Sequence, residues 1–237
     1  MGLALAAFVA DVLIYYFTIE PLAAWSKRHY FTPGWGILIH YGLRAASALL
    51  AMGAMLRFGT TNARDLGLAP GPFREDAAWT LRLIAALTVI SIVLMGIAVG
   101  ILRIFDVPLG GWPLETHEPG GWGLYFLCSV IAAPLVEEFV YRSLLTPALR
   151  AGYGERGAII AGGLMFYVVH LVYGKPPWMV HYFVAGAILT WVFLRRGQLW
   201  ICVLLHAGGN LLVVLDDAVL EFAPDLFKAI VGKLPPT

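Results

Sequence analysis

The amino-acid sequence predicts an all-α fold: a polytopic membrane helix bundle of about seven or eight transmembrane helices. Three observations carry that expectation. The 237 residues are 60% hydrophobic and only 13% charged, where soluble domains carry about 25% charged residues. Mean hydropathy is +0.79, so the chain has too little polar surface to cover a soluble globule and requires lipid around it. The apolar residues also fall in long runs, separated by short stretches where Arg, Gly and Pro gather. A net charge of +1 argues against nucleic acid as a partner. Cys128 and Cys202 both lie inside apolar runs, where they are expected to pack as small hydrophobes rather than to pair.

Taken in order, Leu3 to Ile19 is the first candidate span, with Asp11 as an interior charge and Pro21 and a polar turn of Lys27, Arg28 and His29 after it. The first residues lack the basic region of a secretory signal, so this span is expected to stay as an anchor. Trp35 to Leu56 is the second and holds His40 and Arg44. Arg57 to Ala78 reads as a loop, broken by Gly67, Pro70, Gly71 and Pro72. Trp79 to Leu102 is the third span, and Asp106 to Gly121 an acidic loop. Trp122 to about Leu149 is the fourth and most polar span, with Pro134 expected to kink it. A tight turn at Gly152, Tyr153 and Gly154 leads to the fifth span, Ala158 to Val172. Met179 to Leu194 and Leu199 to Leu215 are the sixth and seventh, and the acidic tail is expected either to lie along the interface or to cross once more. No repeat or linker divides the chain, so residues 1–237 are expected to form one integral membrane domain. Basic residues favour the cytoplasmic side. Arg57, Arg64, Arg74, Arg150, Arg156, Arg195 and Arg196 fall on one face of this topology, which puts the N-terminus inside and the approach to the site on that face. Lys27 and Arg28 run against the rule.

Three of these spans carry polar groups at helical spacing. The fourth has Glu137, Glu138 and Arg142, the fifth Phe166 and His170, and the seventh His206 and Asn210. Charged groups in hydrocarbon cost a few kcal/mol each even on gentle scales, about 2.5–3.5 at a helix centre, so their presence is a functional hypothesis. Residues four apart share a helix face. Glu137 and His170 are nearly equidistant from the turn at Tyr153, so at about 1.5 Å rise per residue they reach the same depth. Spacing therefore allows one site holding Glu137, His170, His206 and Asn210. Glu138 precedes Arg142 by four residues, the favourable order for a helical ion pair, while Glu137 points about 100° away with no partner on its own helix. A desolvated carboxylate suits a general base, His170 can share the water or protonate a leaving group, and a side-chain amide such as Asn210 can donate to an oxyanion. Each motif also has a structural reading: Glu138 with Arg142 as a packing ion pair, His170 as an interfacial histidine, His206 and Asn210 as interhelical glue. His40 with Arg44 reads as structural or substrate-facing, and Asp11 and His181 have no assigned role. No Walker, H-E-x-x-H or Ser-His-Asp pattern is present.

E-E-F-V-Y-R, F-Y-V-V-H and H-A-G-G-N resemble, in order, the E-E-x-x-x-R, F-x-x-x-H and H-x-x-x-N/B motifs of the CAAX-protease and bacteriocin-processing family, which includes the type II CAAX prenyl endopeptidases. The resemblance covers about residues 122–215. It implies a multi-pass, glutamic-type intramembrane endopeptidase that hydrolyses a peptide bond in a membrane-associated substrate. Glu137 would activate water with His170 beside it, Asn210 and His206 would form the oxyanion side, and Glu138, Arg142 and Phe166 would support the site. It implies a membrane-anchored peptide or protein substrate, prenylated or carrying a sorting tail, in the lipid bilayer. No cofactor is expected; a zinc-dependent mechanism would instead use Glu137, His170 and His206 as ligands. A non-catalytic immunity or scaffold protein of the same fold is a competing reading. A transporter is a further one, which the lack of an internal repeat disfavours. The Ala-, Gly- and Arg-rich composition favours a bacterial inner membrane.

Overall fold

In the computed structural model, residues 2–28, 33–58, 61–69, 77–89, 93, 97, 121–172 and 179–222 are described. Among them every regular element is helical. Helix α1 runs Gly2–Arg28 and α2 Pro33–Arg57, packed together as a hairpin. Helix α3 is described over Ala77–Val89. The fourth expected span opens with α4, Gly121–Phe126, and includes α5, Ala133–Glu138. Helix α6, Thr146–Val172, reverses at Gly154, where the backbone leaves helical geometry. Helices α7, His181–Arg196, and α8, Leu199–Phe222, complete the bundle. The acidic loop before Gly121, the second half of the third expected span and the tail beyond Phe222 lie outside the described residues.

At two prolines the structure adds to the sequence expectation. Helix α1 does not stop before Pro21 but passes through it to Arg28. Around Pro134, where a kink is expected, the helix takes a widened turn. A proline has no N–H to donate, and its ring pushes away the carbonyl four residues back. The chain relieves this with π-helical turns at Leu127–Ala132 and Phe139–Leu145, each ending two residues before a proline. The Ala133 N–H, ahead of Pro134, bonds the Cys128 carbonyl, and the Thr146 N–H, ahead of Pro147, bonds that of Tyr141. The Thr146 hydroxyl donates to the same Tyr141 carbonyl at 2.8 Å. Helix α5, which carries both glutamates, is thus a short α-helical piece held between two widened turns.

Burial is inverted relative to a soluble protein. Asp11, Arg44 and Glu138 are 0% exposed, whereas Leu50 is 75% and Leu81 67% exposed. An apolar exterior around a charged interior is the arrangement a bilayer demands. Two described stretches are long and apolar enough to cross it, Leu38–Arg57 and Trp122–Val172; Gly2–Thr18, Ala77–Val89 and Leu199–Leu215 are shorter apolar helices. Tyr141, Leu144, Phe166 and Val169 sit in the main core with Ala48 and Met55 of α2, and Val192, Phe193, Ile201 and Cys202 form a second cluster between α7 and α8. Helices α6 and α7 approach closely where a side chain at Gly186 would strike Phe166 Cβ at 2.5 Å, the small-residue contact usual between membrane helices.

The stretch expected to be a plain loop after α2 is docked. Asn62 Oδ1 accepts from the Arg64 and Asp65 N–H groups at 2.9 and 3.1 Å, folding the chain back. Leu66 is buried at 0% exposure. The Ser143 hydroxyl donates to the Leu66 carbonyl at 2.6 Å, and the Leu199 N–H donates to that of Gly67 at 3.0 Å. This turn pins the ends of the glutamate-bearing segment and of α8. Gly67 has φ +71, and a Cβ there would lie 2.6 Å from the Phe193 ring and 2.9 Å from the Leu199 nitrogen. Gly67→Ala is expected to cost at least the roughly 1–2 kcal/mol of a left-handed non-glycine residue. Thermal unfolding in detergent should show the loss; an unchanged transition would mean the turn does not hold the helices.

Candidate active site

The two glutamates are adjacent on α5, so their side chains diverge by about 100° around the helix axis. Each meets a different set of partners. Glu138 is fully buried and shares its two oxygens between two helices. Arg142 Nε stands 3.0 Å from Oε2, the helical pair expected from the spacing, and Arg142 Nη2 also donates to the Gly186 carbonyl at 3.4 Å. His206 Nδ1, from α8, lies 2.8 Å from Glu138 Oε1. An ionised carboxylate only accepts, so this nitrogen carries its hydrogen and His206 Nε2 is the one turned elsewhere. It faces Glu137, 3.9 Å from Oε2.

Glu137, 6% exposed, has a counter-charge that the spacing on its own helix does not reveal. Its own helix offers none, but Arg44 of α2 places Nη1 3.5 Å from Glu137 Oε1. Arg44 is in turn gripped by Asp11 of α1, with Nε to Oδ1 at 2.7 Å and Nη2 to Oδ2 at 2.8 Å. The sequence pairs Arg44 with His40 by spacing. In the structure His40 Nδ1 instead meets the Thr18 hydroxyl at 2.7 Å. The signal that could have found the real pair was opposite charge on two consecutive spans.

His170 and Phe166 are brought to the same place. Phe166, 2% exposed, puts its ring centroid 4.5 Å from that of His170 and 5.7 Å from that of His206. The Arg142 guanidinium lies over the same ring at 5.0 Å, a cation–π contact in a desolvated setting. His170 Nδ1 stands 2.7 Å from the Phe166 carbonyl. A carbonyl cannot donate, so Nδ1 carries the hydrogen in this contact. Tyr182 stacks on the imidazole at 3.9 Å and 18°, a support that no spacing rule pointed to.

Asn210 is held by the consequence of Pro134. In the widened turn the Ala133 N–H goes to Cys128, and the next residue, Pro134, has no N–H for the Ser129 carbonyl. Asn210 Nδ2 donates to that carbonyl at 2.7 Å. One amide hydrogen of Asn210 is committed there; an amide has two.

Arg142, Phe166, His170 and His206 are therefore linked by contact to one another and to the two glutamates, and Asn210 is placed on the Ser129 carbonyl of the same span. Residues 119–212 match the family described as type II CAAX prenyl endopeptidase Rce1-like. This segment is CAAX protease-like. It contains the whole glutamate-bearing span with α6 and α7 and most of α8, and it leaves α1, α2 and α3 outside. No curated protein and no solved structure gives a significant match to the chain. Among the described residues of the CAAX protease-like segment and its neighbours, no group of three His, Cys, Asp or Glu side chains is placed to hold a metal ion.

Asn210→Leu should strand the Ser129 carbonyl in a setting with no water to take it, at a cost of about 1–3 kcal/mol. Pro134→Ala restores a backbone donor, so the same Asn210 change should cost less in that background. Equal losses of unfolding temperature in both backgrounds would show that Asn210 is not capping the break that Pro134 makes.

Proposed function

We propose that the chain is an intramembrane endopeptidase in which Glu137 activates a water against a peptide bond of a membrane-anchored substrate. The observation that supports this best is the position of His206: fixed by Glu138 through Nδ1, it presents Nε2 to Glu137 across 3.9 Å. That gap is too long for a direct hydrogen bond and suits a water held by both groups. Glu137 takes a proton from this water as the oxygen adds to the scissile carbonyl carbon. The charge that develops on the carbonyl oxygen is met by donors already oriented, Nε2–H of protonated His206 and the second amide hydrogen of Asn210. The C–N bond then breaks as the proton on Glu137 passes to the leaving amine, which His170 Nε2 can relay, and the carboxylate is restored. Glu138 is not the base in this scheme, because both its oxygens are engaged by Arg142 and His206.

The scheme uses side chains alone. Glu137 faces a guanidinium, and His170 and His206 each commit Nδ1 to an oxygen of the protein. The membrane-anchored class of substrate follows from the family match; a prenylated C-terminus or a sorting tail is the finer proposal. We place the chain in a bacterial inner membrane as one domain of about seven or eight crossings, the shorter apolar helices thinning the bilayer to span it. Substrate enters from the face of Arg150, Arg156, Arg195 and Arg196.

The test uses purified protein in liposomes with internally quenched peptides on prenyl and on diacyl anchors. Glu137→Gln keeps shape but removes the base, so cleavage should fall by about 10²-fold or more while the unfolding temperature holds. Glu138→Gln leaves Arg142 uncompensated, and breaking a buried pair costs about 3–5 kcal/mol, so it should lower stability as well as rate. A stable, inactive Glu138→Gln beside a normally active Glu137→Gln would swap the two roles. Cleavage by neither wild type nor variants on any anchor would favour the non-catalytic reading.

A further inference from the structure

We propose that Arg44, clamped by Asp11, is a positioning residue for the Glu137 base, so that the first two helices complete a catalytic centre whose family match begins only at α4. The inference rests on the reading of Glu137 as the water-activating residue and adds to it the part of the site that lies outside residues 119–212.

The geometry is that of a fixed fork with one tine left over. Arg44 spends Nε and Nη2 on the two oxygens of Asp11, at 2.7 and 2.8 Å. This bidentate grip sets the plane of the guanidinium and leaves Nη1 as the group directed at Glu137. The rings of Tyr15 and Tyr41 lie 5.7 and 5.5 Å from its central carbon and confine it from the sides. A pair needed only to fasten α1 to α2 would be complete with Asp11 and Arg44, two fully buried groups that neutralise each other. The third contact, 3.5 Å to Glu137 Oε1, is what a fastening does not require.

That contact makes the two oxygens of Glu137 unequal. Oε1 faces Arg44 and Oε2 faces His206. A carboxylate free to spin about its last bond would present either oxygen to the water; one held by a cation on one side presents the other. Arg44 thus holds the base aimed, with one oxygen turned to its guanidinium and the other to the histidine that faces the developing oxyanion.

The experiment compares Arg44→Gln, Asp11→Asn and the double variant in full-length protein, in liposomes, on the internally quenched lipid-anchored peptide that the wild type cleaves fastest. Misaimed catalytic groups cost about 10²-fold in rate. Arg44→Gln should therefore lower kcat by about that factor with KM unchanged, as for a group that acts through Glu137 and not on the substrate. Arg44→Gln leaves Asp11 without its cation and Asp11→Asn takes the bidentate grip from Arg44, so each single variant should unfold at lower temperature; the double variant carries neither charge and should recover that temperature. Its kcat should remain as low as that of Arg44→Gln. Recovery of kcat together with stability would reduce the pair to a fastening and overturn the proposal. So would an unchanged kcat in Arg44→Gln while Glu137→Gln is inactive. An active Glu137→Gln would instead overturn the base assignment itself, and the proposal with it.

Discussion

Glu138 is the charge on which the site depends. It is fully buried, and each oxygen ties its short helix to a different neighbour: Arg142 one turn on, and His206 on α8. In a medium without water an ion is tolerated only with its partners in place. The same carboxylate also sets the tautomer of His206, and so decides which imidazole nitrogen looks toward Glu137. Arg142, held by Glu138, covers the Phe166 ring, and Phe166 carries His170 on its carbonyl. Side chains from three separate helical segments therefore take their orientation from one residue that, by its engagement, is unsuited to the chemistry itself.

The prolines act on the backbone as Glu138 acts on side chains. Pro134 and Pro147 each remove one N–H, and the helix answers with two widened turns that bracket the glutamates. Such turns cost regular hydrogen bonds, and in a membrane every freed carbonyl needs another donor. Asn210 donates to the Ser129 carbonyl, and the Thr146 hydroxyl adds a second donor at that of Tyr141. A polar side chain on α8 is thereby fixed against the glutamate-bearing span for a reason that begins with a missing hydrogen on another helix.

Much of this is legible from the sequence because it follows from fixed helical periodicity. Glu138 and Arg142, four apart, pair as their spacing requires, and the turns at Gly154 and Gly197 fall where glycine and flanking charge put them. Equal counts from the first of those turns bring Glu137 and His170 to one region. What spacing cannot show is contact between helices distant in sequence. It joins Arg44 to His40 because they share a face, whereas the partners of Arg44, Asp11 and Glu137, come from α1 and α5. The docking of Leu66 and Gly67 is hidden for a related reason: composition marks a break in a helix, and only tertiary packing decides whether the break is solvated or buried. The widened turns are hidden too, because a proline marks where a helix is disturbed and not how its hydrogen bonds rearrange.

The pairing of Asp11 with Arg44 also bears on how such a chain gets into a bilayer at all. Synthesis proceeds from the N-terminus, so α1 and α2 emerge before any residue of the glutamate-bearing segment exists. Each would carry a lone charge into lipid at a cost of about 2.5–3.5 kcal/mol. Facing one another within a single hairpin, the aspartate and the arginine cancel, and the hairpin can be released by the insertion machinery with its interior charges paired. Glu138 and Arg142 repeat the device within one span. Glu137 has no such companion on its own helix, and its charge is met only when the finished hairpin and α8 close around it.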